Sequence, residues 1–193
     1  MNQLLAERDS EDDYSLVLRL KSGDRSAIDQ AVDRYSKPLY AFILRMTAER
    51  ETAEDVFQET WVRVIRNIGF FRGDAKFSTW LFQIALNLCR NLARQKSRRT
   101  YIDIDQADQL SEEPEADGRD PLLSRKIKKL VASLPDKMRE VIVLRFYHDR
   151  TDQEIAEITG LPPGTIKSRI FRGMNMLREK IESTGLAAPS MEV

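Results

Sequence analysis

Residues 151–173 read TDQEIAEITGLPPGTIKSRIFRG, and this stretch carries the start and stop signals of two short helices. Thr151 and Glu154 have the spacing of a capping box, which predicts a helix N-terminus at this point. Gly160 stands where a left-handed residue ends a helix, and Pro163 suits the first turn of the next helix. Two apolar-striped helices joined by a short turn that contains glycine predict a helix-turn-helix.

The second of these helices carries polar, cationic and aromatic residues beside its apolar stripe. With Ile166 and Ile170 pointing inward, the outward positions are Thr165, Lys167, Ser168, Arg169, Phe171 and Arg172. Side chains of these types contact phosphates, guanine edges and thymine methyl groups in duplex DNA. We interpret the pair of helices as a DNA-reading element. The alternative is a helical hairpin with a solvated cationic face, and a helix-turn-helix by itself does not identify a function.

The rest of the chain has apolar residues at helical spacing and no strand-like alternation. Between two such stretches lies a polar, acidic segment whose composition cannot bury a core, so it is interpreted as a flexible linker. The sequence predicts an all-α protein of two small helical domains. The expected parts are an acidic N-terminal tail at 1–13, a first domain at 14–99, the acidic linker at 100–121, a second domain at 122–184 and a tail at 185–193.

The segment TAEDVFQETWVRVIRNIG, residues 52–69, predicts a helix with two distinct faces. Thr52 and Asp55 have the spacing of an N-cap and its third helical residue. Asp55, Gln58 and Glu59 fall together on one polar face, since residues three and four apart are neighbours on a helix. The expected apolar stripe consists of Val56, Phe57, Trp61, Val64 and Ile65.

The formal net charge is zero, so the overall charge predicts no partner, but the charges are unevenly distributed. The run RNLARQKSRR at 90–99 has five cations and no acid. It follows the loop GFFRGDAKF at 69–77, and exposed aromatic rings beside cations suit single-stranded nucleic acid. Phe70, Phe71 and Trp80 are the candidate stacking platforms; for any one of them taken alone, a place in the core is the favoured alternative.

Several classes of protein are not expected. One cysteine, Cys89, and one histidine, His148, provide neither a disulfide framework nor a metal site, and the spacing around Cys89 indicates a buried apolar residue. No apolar run is long enough to span a bilayer and no signal-peptide pattern begins the chain, so a cytoplasmic protein is expected. Asp55 and Glu59 share a helix face, yet a two-metal nuclease needs further ligands. We expect no enzyme, no cofactor and no small-molecule ligand.

Two long segments carry a resemblance to a known family. Residues 52–99, TAEDVFQETWVRVIRNIGFFRGDAKFSTWLFQIALNLCRNLARQKSRR, resemble the second region of bacterial extracytoplasmic-function (ECF, group IV) sigma factors of the sigma-70 family. Residues 133–181, SLPDKMREVIVLRFYHDRTDQEIAEITGLPPGTIKSRIFRGMNMLREKI, resemble their fourth region. The resemblance spans about residues 14–183, and it implies an alternative sigma factor that binds core RNA polymerase and directs transcription initiation at promoter DNA.

The resemblance also implies roles for matching residues. Asp55, Gln58 and Glu59 are expected to contact the clamp helices of the largest polymerase subunit, while the second domain meets the flap of the second-largest subunit. The −10 element is expected to be melted and bound by Phe71, which lines the pocket for a flipped base, by Asn87, which reads that base, and by Arg90, Arg94, Lys96, Arg98 and Arg99, which hold phosphates.

The −35 element is expected to lie against the second helix of the helix-turn-helix. Its readers are drawn from Thr165, Lys167, Ser168, Arg169, Phe171 and Arg172. The family further implies an anti-sigma factor that holds the protein inactive. The alternative function is a freestanding helix-turn-helix transcriptional regulator, which leaves the polar face at Asp55 and the aromatic loop without a role.

Overall fold

A computed structural model describes residues 13–99 and 121–183, and both ranges are helical with no strand in either. The predicted all-α class is therefore confirmed for the described part of the chain. The α-helices are α1 at 13–21, α2 at Arg25–Thr47, α3 at Arg50–Asn67, α4 at Phe77–Arg99, α5 at Pro121–Ala132, α6 at Asp136–Phe146, α7 at Asp152–Thr159 and α8 at Pro163–Ser183, with a 3-10 turn at Ile68–Phe70. The predicted linker lies almost wholly outside the described residues.

The first bundle consists of α1 to α4, with α2 packed against both α3 and α4. Apolar side chains of α1 are buried, as are large side chains of α2 and α4 that fill the centre of the bundle. Burial of such side chains supplies most of the stabilisation of a small helical bundle. The central residues are Leu16, Val17, Leu20, Leu39, Phe42, Ile43, Phe77, Leu81, Phe82 and Leu86.

The start of α3 differs from the sequence prediction. The helix begins at Arg50, so Thr52 occupies its first turn rather than the N-cap, and its hydroxyl donates to the Glu49 carboxylate at 2.6 Å. The reason is the short connection: Ala48 ends α2 in a left-handed conformation with φ of 58°, which leaves only Glu49 before α3. Ile65 was also wrongly placed in the apolar stripe, because it is 46% exposed.

The second bundle consists of α5 to α8, and α7 and α8 form the predicted helix-turn-helix. Thr151 and Glu154 make both hydrogen bonds of the capping box. Gly160 has a φ of 72° and ends α7, and α8 begins at Pro163. These local signals and Ile166, which is fully buried, fix the position of the second helix on the bundle.

Helix α8 packs tightly against α6 at Gly173. A Cβ atom at this position would lie 2.9 Å from Cγ1 of Ile142 and 3.5 Å from Cβ of Met138. A helical glycine costs about 1 kcal/mol relative to alanine in an exposed position. Here the missing side chain is what lets the two helices pack together.

Substitution of Gly173 should therefore destabilise the second bundle. We expect Gly173→Leu to lower the free energy of unfolding by about 1–3 kcal/mol, the usual cost of overpacking a core. Gly164→Leu is the matched control on the same helix, since nothing lies within 4 Å of the Cβ position there. Denaturant unfolding followed by circular dichroism measures both, and a loss of equal size in the two variants would contradict the packing argument.

The two bundles lie against each other through α4 and α7, with further contacts from α2 to α5 and α6. The loop at 147–150, between α6 and α7, enters this interface. The His148 ring lies 5.7 Å from Phe42 of α2 and 5.2 Å from Phe82 of α4, measured between ring centroids. In the ranges 13–99 and 121–183, no helix is long and apolar enough to cross a membrane.

Candidate functional site

The polar face predicted on α3 is present in the structure. Asp55, Gln58 and Glu59 are all exposed, and Val62, one turn further on, is 38% exposed beside them. Glu59 accepts a hydrogen bond from Arg63 at 2.7 Å within the same helix. This acidic face, defined by Asp55, Gln58 and Glu59, therefore offers carboxylates to a partner surface without any rearrangement of the bundle.

The aromatic loop separates its two phenylalanines. Phe71 is buried, with its ring centroid 5.1 Å from that of Trp80 and 6.0 Å from that of Phe77. Phe70 is 83% exposed and projects from the 3-10 turn. Of the three candidate platforms, Phe71 is therefore buried in an aromatic cluster and Trp80 is half-buried in the same cluster. Phe70 is the ring that is exposed to solvent.

Asn87 lies exposed on α4, on the side away from the core of the first bundle. Arg94 is also exposed, and the ammonium group of Lys96 donates to the Glu49 carboxylate at 2.6 Å. This ion pair is solvent-exposed, so it contributes little to stability and can be exchanged for another anion. The side chains of Arg98 and Arg99 lie outside the described part of the structure.

Arg90, another of the predicted phosphate ligands, is bonded to the second bundle. Its Nε donates to Glu140 of α6 at 2.9 Å, and its Nη1 donates to the carbonyl oxygen of Thr159, at the end of α7, at 3.1 Å. Both acceptors belong to the second bundle. In this arrangement the guanidinium group joins the two bundles, and its Nε and Nη1 atoms are engaged within the protein.

The predicted reading face on α8 is mostly exposed. Lys167, Ser168 and Arg172 are open to solvent, and Phe171 is 67% exposed. Thr165 is half-buried at the start of the helix. The exposed phenyl ring beside these cations is compatible with contact to a thymine methyl group.

Arg169 does not belong to this outward face, contrary to the sequence prediction. Its Nη1 donates to Glu140 at 2.8 Å, and its side chain is only 19% exposed. The reason is helical geometry: Arg169 follows the buried Ile166 by three residues and therefore points to the same flank, toward α6.

Glu140 is a functional candidate that sequence reasoning missed. Its carboxylate is 3% exposed, and its two oxygens accept hydrogen bonds from Arg90 and Arg169. A buried carboxylate requires such compensation, because its desolvation is costly. The sequence did contain a signal for Glu140, because this acid begins the apolar run of α6, within MREVIVL at 138–144. Its neighbours in this run are apolar, which indicates a buried side chain.

Cys89 is not a reactive thiol. It is 6% exposed within the first bundle, and burial raises its pKa to about 12, so the thiolate form is scarce at neutral pH. Nor do the described residues include any group of three or more histidine, cysteine and acidic residues that could hold a metal ion.

Comparison with known families accounts for both bundles. The model of Sigma-70 region 2 matches residues 31–99, and the model of Sigma-70, region 4, matches residues 124–177. A curated relative, the ECF RNA polymerase sigma factor SigW of Bacillus subtilis, is 36% identical over 176 residues, which cover 86% of this chain and 94% of SigW. The chain is an ECF sigma factor of the sigma-70 family. In this sigma factor, α8 with its exposed Phe171 belongs to region 4, and α4 with Asn87 belongs to region 2.

Two further relatives match over most of the chain and nearly all of their own length. The RNA polymerase sigma-H factor of Pseudomonas aeruginosa is 30% identical over 183 residues, covering 89% of this chain and 95% of the relative. The ECF RNA polymerase sigma-E factor of Escherichia coli K12 is 32% identical over 183 residues, with coverage of 88% and 94%. The resemblance of this sigma factor to its family therefore extends over nearly the whole chain.

Solved structures resemble both bundles of the sigma factor together. CnrH, solved in complex with the cytosolic domain of CnrY, superposes with a TM-score of 0.69 at 25% identity, over 89% of this chain and 97% of CnrH. The sigma factor RpoE of Bartonella quintana, solved with the anti-sigma factor NepR, gives 0.71 at 26% identity, over 80% and 96%.

Proposed function

We propose that this ECF sigma factor binds core RNA polymerase through the acidic face of α3, melts and reads the −10 element with the aromatic loop and α4, and reads the −35 element with α8. The observation that carries this assignment is the division of exposed groups. Carboxylates are presented on α3, whereas Asn87 on α4 and the cations and Phe171 on α8 are presented elsewhere. Basic helices of the polymerase attract the carboxylates on α3, whereas DNA phosphates attract the cations on α8.

The proposed role of the sigma factor is recognition rather than catalysis. It acts in the cytoplasm, where the polymerase transcribes DNA. Region 4 contacts the flap of the second-largest polymerase subunit. An anti-sigma factor controls its release; support comes from RpoE of Bartonella quintana, which was solved with such an inhibitor.

Reconstitution tests the proposal: core polymerase with and without the sigma factor transcribes total genomic DNA of the source bacterium, and the 5′ ends of the transcripts are mapped. New start sites that share upstream elements are the expected result, and their absence would contradict the proposal.

Variants of α8 test the assignment of the −35 reader. In the reconstituted holoenzyme, we expect Lys167→Ala and Arg172→Ala each to weaken promoter binding by about 1 kcal/mol, or about fivefold. Loss of a phosphate contact should also reduce the salt dependence of binding by about one unit of slope. The control is Arg178→Ala, an exposed arginine on the same helix but about 9 Å further from its N-terminus than Arg172.

Promoter fragments with and without a −35 element separate a reading contact from a general loss of charge. The effect of Lys167→Ala and Arg172→Ala should disappear on the fragment that lacks the element. Affinities equal to those of the wild type on the complete promoter, or an equal loss in Arg178→Ala, would show that α8 does not read this element.

A further inference from the structure

The carboxylate of Glu140 is buried inside region 4 and bonded to the helix that carries the predicted reading face. Its side chain is 3% exposed, and its Oε1 accepts a hydrogen bond from Nη1 of Arg169 at 2.8 Å. Glu140 lies on α6 and Arg169 on α8, and the model of region 4 matches both positions. Both partners of this bond therefore belong to region 4 itself, whatever the second oxygen of the carboxylate contacts.

A gain in stability does not explain this ion pair. The cost of removing a carboxylate and a guanidinium group from water roughly offsets their attraction, so apolar residues of similar volume often stabilise a core equally well. Apolar contacts lack direction, however, whereas a charge-assisted hydrogen bond requires its donor and acceptor to meet within a narrow range of distance and angle. The bond from Arg169 to Glu140 therefore restricts the orientation of α8 relative to α6.

Arg169 lies at the boundary between the packed side of α8 and its exposed side. Successive residues of a helix are about 100° apart, so residues three and four apart are neighbours on its surface. On the packed side, the neighbours of Arg169 are Ile166 and Gly173, which are both buried. On the other flank they are Thr165 and Arg172, which belong to the predicted reading face. A bond at this boundary fixes the rotation of α8 about its own axis.

The apolar packing of α8 leaves this rotation weakly determined. In α8, all of which the structure describes, Ile166 and Gly173 are buried, and Gly173 has no side chain that could interlock with α6. The rest of the apolar stripe, Ile170, Met174 and Leu177, is half-buried. A rotation of about 10° moves a side-chain end that lies about 6 Å from the helix axis by about 1 Å. Since recognition requires groups placed to within about 0.5 Å, so small a rotation would misplace the side chains that face DNA.

We propose that Glu140, acting through Arg169, is a positioning residue that fixes the rotation of α8 on α6 and thereby determines how well region 4 distinguishes a −35 element from other DNA. Neither side chain contacts DNA in this role. The inference rests on the proposed function, because it concerns the accuracy of the same reading helix. Phosphate contacts carry no sequence information, whereas contacts to base edges do and depend on exact placement. Loss of the bond should therefore reduce discrimination between sequences more than it reduces general affinity for DNA.

A direct contact between Arg169 and a phosphate is the competing role for this residue, and it has a different signature. A phosphate ligand contributes about one unit to the slope of log affinity against log salt concentration. A positioning residue leaves that slope unchanged, because the same cations still displace the same counterions. Arg169 is only 19% exposed and is hydrogen-bonded to Glu140, which favours positioning.

Binding of the reconstituted holoenzyme to two promoter fragments measures discrimination. The fragments come from a mapped start site, share one −10 element, and carry either the intact −35 element or a scrambled one. The discrimination ratio is the affinity for the intact fragment divided by that for the scrambled one, so an effect through Arg90, which also bonds to Glu140, cancels. We expect Glu140→Gln and Arg169→Gln each to lower this ratio about fivefold to tenfold, the size of a weakened base contact. The salt dependence of binding to the intact fragment should not change.

A double variant and a variant of another helix separate positioning from a general loss of packing. If the two residues act through one bond, Glu140→Gln with Arg169→Gln should lower the ratio no further than the more impaired single variant. Val131→Ala removes buried atoms from α5, outside the reading face, so it should destabilise the bundle but keep the wild-type ratio. Arg169→Lys keeps the charge without the planar donor group and should give a ratio between those of the wild type and Arg169→Gln. Denaturation followed by circular dichroism compares the stabilities.

The outcomes for this inference and for the proposed function are distinguishable. A ratio of one for the wild type would contradict the assignment of α8 as the −35 reader, and the inference would fall with it. If the wild type discriminates, wild-type ratios in Glu140→Gln and Arg169→Gln would overturn the inference alone. An equal fall in Val131→Ala, a multiplied loss in the double variant, or a salt slope reduced by about one in Arg169→Gln would overturn it as well. Should Glu140→Gln not fold, the two Arg169 variants and Val131→Ala decide by the same criteria.

Discussion

Reversing the charge of the acidic face should abolish the binding of core polymerase. We expect Asp55→Lys combined with Glu59→Lys to weaken the affinity for core by more than about a hundredfold, because like charges brought together at an interface cost several kcal/mol. Both residues are exposed, and the pair that Glu59 makes with Arg63 lies at the surface, so the fold should lose less than about 1 kcal/mol. Fluorescence anisotropy of the labelled sigma factor, titrated with core polymerase, measures the affinity.

A matched control separates this contact from a change of net charge. Asp29 and Asp33 are exposed on α2 at the same spacing of four residues, so Asp29→Lys with Asp33→Lys adds the same charge to a different face of region 2. This control should bind core as the wild type does. An acidic-face variant that binds core with wild-type affinity would disprove the assignment of α3. An equal loss of affinity in the two double variants would show that net charge, and not the acidic face, determines binding.

The parts of the fold that the sequence predicted well are those determined by neighbouring residues. The capping box of Thr151 and Glu154, the left-handed Gly160 and the N-terminal Pro163 each act within one helical turn, so the helix-turn-helix followed directly from residue spacing. The same holds for the acidic face of α3, whose exposure follows from the helical period. Local chemistry of this kind does not depend on how distant segments pack.

The parts that were missed depend on contacts between distant segments. Glu140 and Arg90 are 50 residues apart, and neither side chain signals its partner in the sequence. His148 was judged only as a potential metal ligand, whereas its position is set by Phe42 and Phe82 of the other bundle. The orientation of Arg169 could have been predicted from its spacing of three residues from Ile166, but its bond to the buried Glu140 could not. The spacing of apolar residues therefore could not predict how the two bundles pack against each other.

Removal of the Asn87 side chain should prevent promoter melting while leaving polymerase binding intact. The amide provides a donor and an acceptor for the edge of an extruded base, and extrusion costs a few kcal/mol that such bonds must offset. In Asn87→Ala the base edge loses these partners, which should reduce open complexes by about tenfold to a hundredfold. Asn87 is exposed on α4 and is not one of the residues of the acidic face of α3, so the affinity for core polymerase should not change. Permanganate reactivity of thymines in the promoter measures the open complexes.

A neighbouring residue and a second template decide between base reading and a general defect of α4. Asn91→Ala is the control, because Asn91 is exposed on the same helix one turn later and is not expected to reach the extruded base. A promoter already unpaired at the −10 element removes the cost of breaking the base pair, so the defect of Asn87→Ala should be smaller there than on duplex DNA. A damaged helix would lower open-complex formation equally on both templates and would reduce core binding as well. Equal defects in Asn87→Ala and Asn91→Ala would assign this face of α4 to backbone contacts rather than to a base, since phosphate contacts carry no sequence information.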